Sequence, residues 1–164
     1  MNTKPTSAAD LKIAIQAQAA IHADLQALIT AMNAADGVVL FNNYADYQKV
    51  VPYPVTVDNI LDKEGAPAGG VLIQKIQVYA NTYQAQPGAL YDYWAAIKRI
   101  SGKLGLMAGS AEGTVDMGAA WARDTIQAMA DNGVIDQAEA QSLLAMAVQA
   151  DPVSESEYSA AINP

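Results

Sequence analysis

Apolar positions between residues 7 and 32 recur at spacings of three and four. Leu11, Ala14, Ile15, Ile21, Leu25, Leu28, Ile29 and Met32 share one helical face, because 3.6 residues per turn bring such positions into line. The pattern predicts one long amphipathic helix over 7–32, with Gln18 and His22 as the polar interruptions of its face. Ser7 and Asp10 supply its start, a capping box in the shorter-carboxylate form. Asp36-Gly37 supplies its stop.

The period then changes. Val38-Val39-Leu40-Phe41 is a short apolar run, and 50–57 is β-branched but carries Pro52 and Pro54. Prolines cannot donate to a ladder, so the stretch reads as a small hairpin, a two-stranded edge or an extended arm within 38–57. Asp58 is placed to cap a short helical turn over Asn59–Glu64, closed by Gly65. Pro67 suits a helix start, followed by a stripe of Val71, Leu72, Ile76, Tyr79, Ala80 and Tyr83, with Gly69-Gly70 weakening the first turn. Pro87 repeats that signal before Leu90, Tyr93, Trp94, Ile97 and Ile100. Gly102, Gly105, Gly109 and Gly113 mark a loop, and two helices follow, near Val115–Ala130 and Asp136–Ala150. Asn132-Gly133 separates them, and Asp136 with Glu139 repeats the capping-box signal. Asp151-Pro152 breaks the chain ahead of a polar tail, 151–164. The fold class is therefore mainly α: a single domain of about five helices with a small extended or hairpin segment.

Composition narrows the chemistry. The chain has 164 residues, 52% of them apolar and 16% charged, enough for a core without disulfide or metal staples. It has no cysteine, which excludes thiolate ligands and thiol nucleophiles. No apolar run approaches the roughly 20 residues of a membrane span, and the N-terminus lacks the apolar stretch of a signal peptide. A soluble protein with no membrane partner is expected. Net charge is −8, and it is unevenly placed. Eight cations and eight acids cancel over 1–103, whereas 104–164 holds nine acids against Arg123 alone. Such a balance disfavours nucleic acid, whose binders present a basic stripe. It suits a solvated acidic surface or an acidic face that steers a basic partner.

Two motifs come close to known chemistry and fail at named positions. Asn132, Gly133, Asp136 and Glu139 match half of a calcium loop, but the leading ligand positions fall on Ala128 and Ala130. The glycine-rich stretch 102–113 lacks a phosphate-loop pattern, because Ile97 stands where the leading glycine belongs and Leu104 follows Lys103. Ser110 is no nucleophile elbow, since the second glycine is displaced. His22 is the only histidine, and nothing places it beside a nucleophile. No catalytic residue, cofactor or metal ligand is assigned, and no enzyme is expected. The aromatic and cationic residues are better read as contacts. Tyr44, Tyr47 and Tyr53 lie where helical periodicity is lost, and tyrosines anchor interfaces. Lys98, Arg99 and Lys103 put three of the nine cations within six residues. That is either a solvated helix end or a basic spot docking on the acidic half of a neighbouring copy.

The last fifty or so residues carry a resemblance. A helix precedes Asn132-Gly133-Val134-Ile135-Asp136-Gln137-Ala138-Glu139, followed by Leu143-Leu144-Ala145-Met146-Ala147 and Pro152-Val153-Ser154-Glu155-Ser156-Glu157. This resembles the C-terminal pattern of small uncharacterised virion-associated proteins encoded among the structural genes of tailed bacteriophages. Where that pattern often has Arg, this chain has Glu155. The resemblance covers about a third of the chain and carries over no catalytic residue. It implies a virion component of the tail, baseplate or neck, assembled in the host cytoplasm, whose partners are other phage structural proteins and copies of itself. An intracellular assembly chaperone or adaptor, absent from the mature particle, is the alternative.

Overall fold

The first helix begins where the sequence places it: Ser7 Oγ accepts the Asp10 N–H at 3.1 Å and donates to the Asp10 carboxylate at 2.6 Å. The computed structural model describes residues 2–82, 89–111 and 113–163; of Thr82 and residues 89–93 it describes the backbone alone. In chain order the elements are α1 (Ala8–Ala19), α2 (Ala23–Thr30), α3 (Ala34–Ala45), β1 (Gln48–Val50), β2 (Pro54–Val55), α4 (Val57–Glu64), α5 (Ala66–Thr82), α6 (Ala89–Lys103), β3 (Val115–Asp116), α7 (Ala120–Asp131), α8 (Gln137–Ala145), β4 (Val148–Ala150) and α9 (Glu155–Ile162). The mainly helical class is as read from the sequence. The helices are shorter and more numerous than five, with nine among the described residues. They fall into two compact units, one formed by Met1–Lys49 with Gln149–Pro164 and the other by Val50–Val148.

In the first unit, the long helix predicted over 7–32 is two helices. The chain leaves α1 at Ala20, and His22 is in extended conformation as the N-cap of α2. Ile21, assigned to the buried stripe, is 74% exposed. Asp36-Gly37 is not a stop either; both residues lie inside α3. The stop comes earlier, at Met32, whose φ of 53° is left-handed. Asn33 N–H reaches Leu28 O and Met32 N–H reaches Ile29 O, each at 3.0 Å, the pairing of a Schellman turn normally built on glycine. Asn33 then caps α3, accepting the Asp36 N–H at 3.2 Å. Residues 38–45, expected as hairpin or arm, are therefore helical, with Val38, Phe41 and Ala45 in the core.

Within the stretch expected as a polar tail, 151–164, the described residues 151–163 do not trail from the fold. Ser154 and Glu157 form a capping box, and α9 packs on α1 and α3. Asn42 clamps its approach, donating to Val153 O at 2.9 Å and accepting the Val153 N–H at 2.8 Å. Tyr158 is fully buried beside Leu11, Ile15, Leu25 and Phe41. A Cβ on Gly37 would lie 2.8 Å from the Tyr158 hydroxyl, so this glycine is kept for close approach.

The second unit has its own core, centred on Ile60, Leu72, Ile76, Ile97, Ile100, Ile126, Met129 and Leu143. Thr56, not Asp58, caps α4, in a reciprocal box with Asn59, and Gly65 ends the helix at φ 81°. Pro67 lies in the first turn of α5, as expected. Gly69 is there because α4 passes close: a Cβ would sit 3.0 Å from Leu61 Cα. Val71 is 51% exposed, whereas Leu72, Ile73, Ile76 and Ala80 turn inward. Pro87 and Tyr83 lie outside the described residues, as do the side chains of Leu90 and Tyr93; Ile97 and Ile100 of that stripe are buried. The helix predicted over 115–130 starts only at Ala120, because Val115–Asp116 pairs antiparallel with Pro54–Val55. Likewise α8 ends at Ala145, and Val148–Ala150 is β4. The extended strands do not form a hairpin with each other: β1 pairs with β4, and β2 with β3.

Two measurements test the anchoring of α9. The Tyr158 hydroxyl is buried without a hydrogen-bond partner among the described residues. Tyr158→Phe should leave stability to urea unchanged or higher, since an unsatisfied polar group is removed. Tyr158→Ala should cost about 3–5 kcal/mol through the cavity it leaves. Glu157 is held well below its ordinary value of 4.5, at about 2, by the Ser154 backbone N–H, the Ser154 hydroxyl and Lys4. A depressed carboxylate stabilises above its unfolded pKa and loses that contribution as pH falls through the folded one. Melting temperature measured from pH 4.5 down to 2 should therefore fall less steeply for Glu157→Gln, and identical slopes would refute the anchor.

Candidate functional site

The residues singled out as contacts are distributed over both units. In the first, Tyr44 stands on α3 with its ring stacked on His22, centroids 3.7 Å apart and planes within 4°. Its hydroxyl donates to Asp24 Oδ2 at 2.6 Å, and Asp24 also accepts the Leu25 N–H at 2.9 Å. The Tyr44 bond, then the Leu25 bond, lowers the Asp24 carboxyl below its usual range, and Asp24 in turn raises the Tyr44 phenol. His22 is thus spent on tying the α1–α2 junction to α3. Tyr47 is half-buried with its ring edge-on to Phe41 at 6.0 Å, and burial raises its phenol.

Tyr53 belongs to the second unit. Its N–H donates to Asp116 Oδ1 at 2.7 Å, and its carbonyl accepts the Met117 N–H at 2.9 Å. The same Asp116 oxygen accepts the Gly118 N–H at 2.9 Å. Tyr53, 37% exposed, borders a shallow cleft of about 410 Å³ with Asn59, Asp62, Lys63, Ala145 and Met146. A second cleft, about 380 Å³, lies along α5 and the α7–α8 turn, lined by Val71, Gln74, Lys75, Val78 and Val134. Lys75 at its edge is bound to Glu139 at 2.6 Å and lies 3.9 Å from Asp136.

Lys98, Arg99 and Lys103 all lie on α6. Lys98 Nζ lies 4.5 Å above the Trp94 ring and the Arg99 guanidinium 4.1 Å above Trp121 of α7. Lys103 is exposed in the last turn of α6. Trp94 and Lys98 are four apart on one helix, so that contact was legible from spacing. The Arg99–Trp121 contact joins two helices and was not. Nor was the role of Arg123, whose Nη1 donates to Leu144 O at 3.0 Å and so holds the end of α8.

The half calcium loop is a helix–turn–helix. Gly133 has φ 71°, and the N–H groups of Gly133 and Val134 reach Ala130 O and Met129 O at 3.1 and 2.9 Å. Its oxygen-bearing residues are occupied. The Asn132 amide donates to Ala128 O at 2.8 Å, and Asp136 and Glu139 complete the reciprocal cap of α8. Among the described residues no cluster of three or more His, Asp and Glu side chains is arranged to hold a metal. No helix among them is long and apolar enough to cross a membrane.

Removing the phenol should release Asp24. In Tyr44→Phe the Asp24 carboxyl is expected to titrate higher, toward its ordinary 3.8, as followed by side-chain NMR; an unmoved titration would mean that the Tyr44 bond is not made in solution. No family model, curated protein or solved structure matches this chain.

Proposed function

We propose that this chain is a non-enzymatic structural component of a tailed-bacteriophage particle, at the tail, baseplate or neck. It works through protein–protein contacts, in several copies, with other phage structural proteins and with itself. The reading is carried by the C-terminal pattern, Asn132–Glu139 followed by Leu143–Ala147 and Pro152–Glu157. In support, several side chains with chemical potential are engaged in building the fold: His22 on Tyr44, Glu139 on Lys75 and the α8 cap, Asp116 on the 53–118 corner. Large apolar groups remain at the surface of the first unit, with Ile13, Ile21, Met32 and Val39 each more than 60% exposed. Exposed apolar groups of that size are contact material where they adjoin.

Mass spectrometry of purified particles from the phage that encodes the chain should detect it as a multi-copy component, and particles made without it should be defective. Its absence from particles, together with abundance in the infected cell, would overturn this reading in favour of an assembly chaperone or adaptor.

A further inference from the structure

We propose that the cationic face of α6 is the docking surface for a second copy of this chain, whose α7 supplies the acidic counterpart. The inference rests on the multi-copy reading above and names the surface that brings copies together.

No acidic group among the described residues pairs with these cations. Among the described residues every ion pair uses Lys4, Lys49 or Lys75; none uses Lys98, Arg99 or Lys103. Trp94 and Trp121 lie beneath Lys98 and Arg99, holding the charged ends in place while leaving their charge unpaired. Ordering them in advance lowers the entropy cost of association. Lys103 extends the face to the end of the helix.

The matching acids are on the neighbouring helix. Asp124 and Asp131 of α7 are seven residues apart, on one face, and both are exposed. Neither has a cation within 4.0 Å among the described residues. Asp131 occupies the last turn of α7, where the helix dipole disfavours an acid. The amides of Gln127 and Gln137 hold its carboxylate at 2.9 and 3.1 Å without adding positive charge.

A second copy is favoured over other acidic partners because this chain carries the complement itself. Residues 104–164 hold nine acids against one cation. A polyanion such as nucleic acid would meet a net charge of −8 and long-range repulsion. Because α6 packs on α7, both faces belong to one unit. A twofold pairing can then set each α6 against the partner's α7, satisfying both faces at once.

Sedimentation of the full chain tests this. Self-association should weaken roughly tenfold or more in Lys98→Glu/Lys103→Glu, and equally in Asp124→Lys/Asp131→Lys. It should also weaken at about 1 M salt, where the screening length is ~3 Å. Mixing the two reversed variants should restore association, because each then offers what the other lacks. Circular dichroism monitors folding; if a reversal loses helix, Lys98→Gln/Lys103→Gln and Asp124→Asn/Asp131→Asn replace it, and each should still weaken association. A parent that is monomeric at low salt, variants that associate like the parent, or a mixture that does not recover would each overturn the proposal. A chain found in particles but insensitive to these changes would fail here while leaving the virion reading standing.

Discussion

Burial of one apolar face per helix is the constraint from which the rest of this structure follows. The helices run from 8 to 17 residues, and isolated helices shorter than about 12–15 residues are marginal in water. Propensity alone cannot hold α2, α4, α8 or α9; each persists by placing a few residues in a shared core. Fully burying a large apolar side chain contributes roughly 1.5–3 kcal/mol, so a helix with one such residue depends on it. Tyr158 in α9, Leu25 in α2 and Ile60 in α4 have that position. The two units solve the problem separately, one around Phe41 and Tyr158, the other around Ile97 and Ile126.

Short helices have many ends, and ends consume polar side chains. Each start leaves backbone N–H groups without an intrahelical partner. Ser7, Asn33, Thr56, Asp136 and Ser154 meet that need. Reciprocal acceptors such as Glu139 and Glu157 are committed by the same requirement. The half calcium loop shows the same demand: its Asp136 and Glu139 oxygens close the start of α8. The α6 cations and the α7 acids Asp124 and Asp131 stand outside those caps.

Legibility of the candidate surfaces depended on sequence distance. Lys98, Arg99 and Lys103 share a helix, so spacing was enough to group them. Tyr44, Tyr47 and Tyr53 are also near one another in sequence, yet α3 carries Tyr44, the half-buried Tyr47 follows that helix, and Tyr53 belongs to the second unit. Proximity along the chain misled there because a helix end and a change of unit fall inside ten residues. Asp24–Tyr44, Arg99–Trp121 and Arg123–Leu144 join residues about 20 apart. No local pattern encodes such pairs.

By itself the sequence determined the helical class, the caps at Ser7 and Asp136, the glycine turn at 133 and the uneven charge. These are short-range matters, set within one or two turns by period, capping chemistry and the freedom of glycine at positive φ. Only the tertiary structure decided where the 7–32 stripe breaks, since neither Ala20–His22 nor Met32 carries a glycine or proline. The break exists because an unbroken helix could not fold its two halves against α3, and Met32 accepts a left-handed backbone that typically costs an L-residue about 1–2 kcal/mol. Pairing of β1 with β4 and β2 with β3, and the recruitment of α9 into a core, are likewise tertiary. Those contacts join residues 60 to 150 positions apart, where the gain from burial is visible only once both partners are in place.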